Sequence, residues 1–252
     1  MAMAPRGTRA AAPGSLALYR EVKRQLVADI ASGAVPPGGA LASESELARR
    51  FAVSIGTVRR AVDELVADHI LVRQQGRGTF VGRLDSERFM FQFFKLQGRD
   101  GSREFPQVRL VDFRHGRADD TEAQALQIAP GAAALRIENV LSLQGVPVSH
   151  DRISLAAAQF PGLTRRGFVE RSGTIYELYQ AAFGITVVGA DERLRAEAAE
   201  PRSAELLGLA LGAPVLRITR IARSFDAHPA ELRVSVVDTR NVDYVALMAG
   251  QS

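Results

Sequence analysis

From Leu18 to Ser32 apolar residues recur three and four positions apart, at Tyr19, Val22, Leu26 and Ile30, which predicts a helix with one buried stripe. Gly33 and the run Pro36-Pro37-Gly38-Gly39 end it. Ser43-Glu44-Ser45-Glu46 then offers a capping box, with Ser43 as N-cap and Glu46 three residues on, opening a short helix through Leu47, Ala48 and Phe51. Ala52-Val53-Ser54 makes a turn. A third helix runs from Ile55 to Asp68, with Val58, Ala61, Val62 and Leu65 inward and Thr57, Arg59, Arg60 and Glu64 outward. The pattern then changes to short β-type runs, Ile70–Arg73 and Thr79–Val81, around Gln74-Gln75-Gly76-Arg77-Gly78. They predict a hairpin with a glycine-rich, arginine-bearing tip.

Beyond this point the texture is β-rich with two helices. Residues 84–102 read as a joining segment, with Phe89–Phe94 as the first strand of a second module. An internal repeat then organises residues 103–252. Ala123, Leu126, Ile128, Gly131, Ala132, Leu135-Arg136-Ile137 and Val140 recur as Ala204, Leu207, Leu209, Gly212, Ala213, Leu216-Arg217-Ile218 and Ile221. Each copy predicts a short helix, a glycine turn, a strand, a proline-bearing loop and a returning strand. Two such halves pair into one mostly antiparallel sheet with helices on one side, an α+β architecture. A two-fold arrangement leaves a crevice between the halves, a common place for small molecules; the same repeat could instead merely extend a core. On the returning strands, Asp151 shares a face with Ser149, Ile153 and Leu155, and Glu231 shares one with Arg233 and Ser235. Thr174, with Glu177 three residues on, predicts a capped helix start. Facing a crevice, that start would suit a carboxylate or phosphate; otherwise it is an ordinary capped helix.

Charge divides the chain in the same place. Of 32 Lys and Arg against 28 Asp and Glu, residues 1–83 carry 12 against 7, so all the excess positive charge lies in the first third. One module therefore has the electrostatic footprint of a polyanion binder and the other does not. Only Lys23 and Lys95 are lysines; arginine's planar fork suits phosphates and guanine edges, and a GC-rich genome would give the same bias. With no cysteine there is no disulfide, thiol nucleophile or cysteine-ligated metal site. No run approaches the about 18 apolar residues of a membrane span. The first 15 residues read as a disordered leader without a signal peptide, and the expected setting is the cytoplasm.

Two short helices joined by a tight turn have the form of a helix-turn-helix, whose second helix would lie in the major groove. The helices alone equally describe a three-helix bundle with a solvated face. The hairpin behind them reads as a wing, its glycines closing on the sugar-phosphate surface and Arg77 within reach of a minor groove. Residues 18–81 resemble the winged-helix domain of GntR-family transcription regulators. The resemblance rests on Leu18-Tyr19, Pro37-Gly38, Leu41 through Ala48, Phe51-x-Val53-Ser54, Thr57-Val58-Arg59 and Gln75 through Val81. It implies DNA contacts from Ser43, Glu44 and Ser45, from the stretch Ser54 to Arg59 with Gly56, Thr57 and Arg59, and from Gly76, to which the reading of the helix and wing adds Arg60, Arg77 and Gly78. Ser45 and Ile55 stand where many members carry arginine.

Residues 89–247 resemble the UTRA effector domain of the HutC branch of that family, a fold shared with chorismate lyase. Carrying segments are Gly145 through Val148, Phe160 through Leu163, Thr174 through Leu178, Leu206 through Ile218 and Ala230 through Arg240. The resemblance implies effector contacts at Arg136, Asp151, Thr174, Tyr176, Glu231 and Arg240. Asn139 and Leu141 replace the arginines of sugar-phosphate sensors, which weakens the case for a phosphosugar and leaves the expected effector a small carboxylated or phosphorylated metabolite.

An enzyme would need a nucleophile–base pair or a metal site. The four histidines are scattered, with none at i, i+4 spacing, and no phosphate-loop, dinucleotide or nucleophile-elbow motif occurs. The expectation is thus a non-enzymatic, cofactor-free, ligand-responsive repressor. It would act as a homodimer on a palindromic duplex operator, away from membranes. An architectural DNA-binding protein whose second domain only dimerises is the alternative, with a chorismate-lyase-like enzyme more remote.

Overall fold

The computed structural model describes residues 13–67, 70–82, 93–224 and 227–246, in two compact units, Met1–Gly82 and Arg83–Ser252.

In the first unit, α1 (Pro13–Ala31) buries Tyr19, Val22, Leu26 and Ile30 against α3 (Ile55–Ala67), whose Val58, Ala61, Val62 and Leu65 are fully enclosed. Residues 1–12 of the expected leader lie outside the described residues. Pro13–Ser15, expected in that leader, belong instead to α1, because proline suits a first helical position that has no N–H bond to lose. Ser43 caps α2 (Glu44–Arg50) through the full capping box. Ala52 takes a left-handed φ of 52° in the turn, and the Ser54 hydroxyl accepts from the Thr57 amide at 3.1 Å to cap α3. The hairpin forms from β1 (Leu71–Gln74) and β2 (Gly78–Val81), with Leu71 opposite Val81. Gly76 and Gly78 hold φ of 72° and 113° at its tip, where a side chain would be strained. The loop from Gly38 to Leu41 pairs along the outer edge of β2, the Gly38 amide donating to Val81 and the Leu41 amide to Thr79, both at 2.8 Å.

In the second unit, six antiparallel strands are ordered β4-β5-β6-β9-β8-β7. They are β4 (Gln107–Arg117), β5 (Ala133–Leu143), β6 (Val146–Ala156), β7 (Val187–Ala198), β8 (Pro214–Ser224) and β9 (Pro229–Val237). The order reads as a three-strand set and its reversed copy. The duplication reaches single hydrogen bonds: Ala118 donates to Ala132, Ile128 to Ala123 and Gly131 to Ala118, while Ala199 donates to Ala213, Leu209 to Ala204 and Gly212 to Ala199. At the centre of the sheet β6 lies beside β9, with Arg152 opposite Val234. Helices α4 (Asp120–Leu126) and α7 (Pro201–Leu207) cross over, α4 packing on β9 and α7 on β6.

The expectation of helices on one side holds for α4 and α7, the helices of the repeat, and misses the two helices that lie between its copies. On one face α4 and α7 meet the even-numbered residues of β5 and β6. The other face, built from Leu135, Ile137, Asn139 and Leu141 of β5 and their neighbours, is covered by α5 (Arg165–Val169) and α6 (Ile175–Phe183). Both faces carry apolar stripes, Val236 and Val215 lying under α7, so both demand cover. Only the end of the expected strand Phe89–Phe94 falls among the described residues, and that end is not in a strand. Phe89–Gln92 lie outside the described residues, and Phe93 and Phe94 are buried without strand pairing. Among the described residues that follow, β3 (Leu96–Gly98) pairs with β10 (Val242–Tyr244), while the Phe93 carbonyl accepts from the Arg220 guanidinium.

Candidate nucleic-acid interface and ligand cavity

On the first unit, the capped start of α2, the turn, the outward face of α3 and the wing tip hold the residues implied by the resemblance. Ser43, Ser45, Ser54, Gly56, Arg59, Gly76, Arg77 and Gly78 are exposed, and Thr57 is half-buried. Glu44 organises this surface: its carboxylate accepts from Arg59 Nε at 2.8 Å and pairs with Arg73 at 3.3 Å, while Arg73 also pairs with Asp63 at 2.7 Å. Arg59 is thereby pre-aimed with its terminal nitrogens still available. Arg60 differs: its guanidinium stacks 4.1 Å over the Tyr19 ring, toward α1 and away from the Arg59 strip.

On the second unit, three of the implied residues converge. Arg233 pairs with Asp151 at 3.1 Å and grips Glu231 with two bonds of 2.8 and 3.1 Å. The phenols of Tyr176 and Tyr179 donate to the two oxygens of Glu231. All five side chains are buried, and burial pushes both phenols well above their ordinary range. Strand alternation brings this about, since Asp151, Glu231 and Arg233 all point to the face covered by α6.

Beside the cluster lies a cavity of about 320 Å³. Its walls are Phe105, Pro106, Val108, Leu141 and Ile175; its polar groups come from Asn139, Arg171, Thr174 and Arg233. Thr174 caps α6, its hydroxyl accepting from the Glu177 amide at 3.2 Å, so the first turn of α6 opens on this space. Among the described residues, two buried side-chain atoms have no hydrogen-bond partner: Asn139 Oδ1 and Arg171 Nε. Both residues line this cavity. Arg171 stacks 4.4 Å over Phe168, no described carboxylate pairs with it, and burial draws its pKa below the usual value for arginine.

Arg136 and Arg240 are not brought to this cavity. Arg136 lies at an even position of β5 and points to the opposite face, where Glu122 accepts from it at 2.7 Å. It lines a wider cavity of about 610 Å³ whose cations Arg114, Arg136, Arg152, Arg202 and Arg217 are paired with Asp112, Glu122, Glu200, Glu138 and Glu197. Arg240 lies beyond β9, exposed and paired with Asp238 at 2.9 Å. Arg233 and Asn139, which sequence reasoning named without assigning them to the effector, and Arg171, which it left out, are the further polar residues of the cavity. The first two had a signal, as polar residues at inward positions of strands; Arg171, in a connection, had none.

Under α7, His150 lies between Ser203 Oγ and Glu138 Oε1, 2.9 Å from each, a serine–histidine–acid alignment. Ser203 and His150 are both 0% exposed, so the alignment fastens α7 to β6 and offers no hydroxyl to a substrate. Burial pushes the His150 imidazole below its ordinary value, despite Glu138. The unfolded chain therefore binds a proton more readily than the native state, and stability should fall as pH drops below about 6.5. Urea unfolding between pH 7.5 and 5 is expected to show this fall in the wild type, and a smaller one in His150→Gln.

Residues 18–81 match the family described as bacterial regulatory proteins, gntR family, and residues 102–242 match the UTRA domain. The chain belongs to the GntR family. Its UTRA domain places it in the HutC branch, a ligand-responsive transcription regulator. It is 30% identical to the "Probable fructoselysine utilization operon transcriptional repressor" of Shigella flexneri, over 86% of this chain and 88% of that protein. It is likewise 30% identical to the histidine utilization repressor of Pseudomonas putida, over 82% of each. Among solved structures it resembles PhnF from Mycobacterium smegmatis, with TM-score 0.54, 25% identity and coverage of 90% of this chain and 99% of that one. The ligand-binding domain assigned to a GntR-family regulator of Bordetella bronchiseptica aligns with TM-score 0.59 and 30% identity, covering 63% of this chain and 98% of that domain. These relatives are regulators rather than enzymes. No described helix is long and apolar enough to cross a membrane.

Proposed function

We propose that the protein is a repressor whose operator affinity is lowered by a small organic acid bound in the cavity beside α6. The observation that carries this reading is that one cavity is lined by two residues, Asn139 and Arg171, that each hold a buried polar atom without a partner. A buried donor or acceptor left unsatisfied costs about 1–3 kcal/mol. A ligand offering an acceptor to Arg171 and a donor to Asn139 offsets these penalties, and an anion best answers an arginine whose described partner is the Phe168 carbonyl and not a carboxylate. The five apolar walls accept a hydrocarbon or ring and disfavour a polyol, whose hydroxyls would go unpaired. One relative is named for use of histidine, a compound that carries an amino-acid carboxylate and an unsaturated ring in place of hydroxyls. The reading includes a homodimer on a palindromic operator, so that protein and DNA symmetries match. The ligand shifts DNA binding only as far as it binds the DNA-competent arrangement less well than the other.

A thermal-shift panel of amino acids, N-acyl amino acids, aromatic carboxylates and glucosamine 6-phosphate tests it. A carboxylate is expected to raise the melting temperature, by mass action, in the wild type and to lose that effect in Arg171→Gln. Equal stabilisation of both proteins would move the site elsewhere. No stabilisation by any compound would favour an architectural DNA-binding protein.

A further inference from the structure

One feature of the DNA-facing unit is not absorbed by phosphate or guanine recognition. Ile55, the first residue of α3, is 47% exposed. No other large apolar side chain of α3 is so exposed, and its neighbours on the outward face are Gly56, Arg59, Arg60 and Asp63. The core of the unit has no use for it, since Val58, Ala61, Val62 and Leu65 already fill the space beneath the helix. Single exposed apolar residues are common on protein surfaces. This one, however, stands at the end of the helix that a winged helix-turn-helix presents to the major groove.

Among the base edges of that groove the apolar feature is the C5-methyl group of thymine. Contact with it requires the start of α3 to come close, and Gly56 allows this. A Cβ added there would have Ser54 Oγ, at 3.8 Å, as its contact from beyond the adjoining residues, so the backbone at this position is open to close approach. Arg59 comes one turn later, about 6 Å along the helix axis. Its Nε is held by Glu44 at 2.8 Å, which leaves the outer guanidinium nitrogens for acceptors. With base pairs about 3.4 Å apart, Ile55 and Arg59 address bases one or two pairs from each other.

We propose that Ile55 is a specificity-determining residue that reads a thymine methyl group in each half-site, beside the base reached by Arg59. The proposal rests on α3 entering the major groove, and the experiment separates the two. Binding-site selection from randomised duplex DNA with the full chain yields the preferred site. Its thymines are then replaced one at a time by uracil, which removes only the methyl group. One thymine per half-site is expected to be sensitive, weakening wild-type binding by about three- to ten-fold. The same change should weaken Ile55→Ala by less than about two-fold, and Ile55→Arg should select a guanine at or next to that position. Tolerance of uracil everywhere would overturn the proposal. So would equal sensitivity in Ile55→Ala, which would give the methyl contact to another side chain such as Thr57. If no sequence were selected at all, the groove-binding reading would itself fail.

Discussion

Arg233→Met is expected to destabilise the second unit by about 3–5 kcal/mol, the usual range for removing one member of a buried ionic group. Arg233 is 8% exposed, Asp151 2% and Glu231 0%, so water cannot replace the lost cation. Methionine restores the volume but leaves two carboxylates in an apolar surround, one of them still facing two buried phenols. The wider face holds a second cation, Arg220, but Glu192 already occupies it at 2.6 Å. Urea unfolding of the full chain, followed through the tyrosines, measures the loss. Adding Glu231→Gln to Arg233→Met should recover part of it, because the glutamine carbonyl still accepts from a phenol while one stranded charge disappears. An unchanged midpoint in Arg233→Met would mean that the cluster is far better hydrated than its burial indicates.

The second large effect concerns the other unit. Arg59→Ala should cost about 1–3 kcal/mol of operator affinity for each copy of α3 in the complex, the range for a bidentate base contact. Stability should hardly change. The Arg59 side chain is 60% exposed, and its ion pair with Glu44 is a surface pair of small net value. Fluorescence anisotropy with labelled operator measures the affinity, and thermal shift with the stabilising carboxylate checks that ligand binding is intact. Arg60→Ala is the internal comparison, with a smaller effect on DNA because its guanidinium is turned onto Tyr19.

Features encoded locally were legible in the sequence, and those set by tertiary packing were not. Helices α1 and α3 were readable because each buries one continuous stripe, and Ser43 and Thr174 were readable as caps because the box is local. The duplicated halves were readable since turn glycines and strand alternation recur together. Strand alternation also placed Asp151 and Glu231 correctly, and the same rule, applied to Arg136, excludes it from the cavity. The second covered face was not legible, because α5 and α6 lie between the copies of the repeat and take their side from tertiary packing. The strip from Gly38 to Leu41 along β2 is held by backbone bonds alone and has no side-chain signature. Arg171 sits in a connection whose course is set by tertiary packing, so its burial, and an Nε without a partner among the described residues, emerge only in three dimensions.

The claim that a cavity in the second unit governs the first is tested most directly by titrating the preferred operator, bound to the full chain, with the carboxylate that most raises the melting temperature. Release of the DNA from wild type, and its retention at the same concentrations by Arg171→Gln with unaltered starting affinity, is the predicted result. Continued occupancy of the operator by wild type at concentrations that saturate the melting-temperature shift would contradict it.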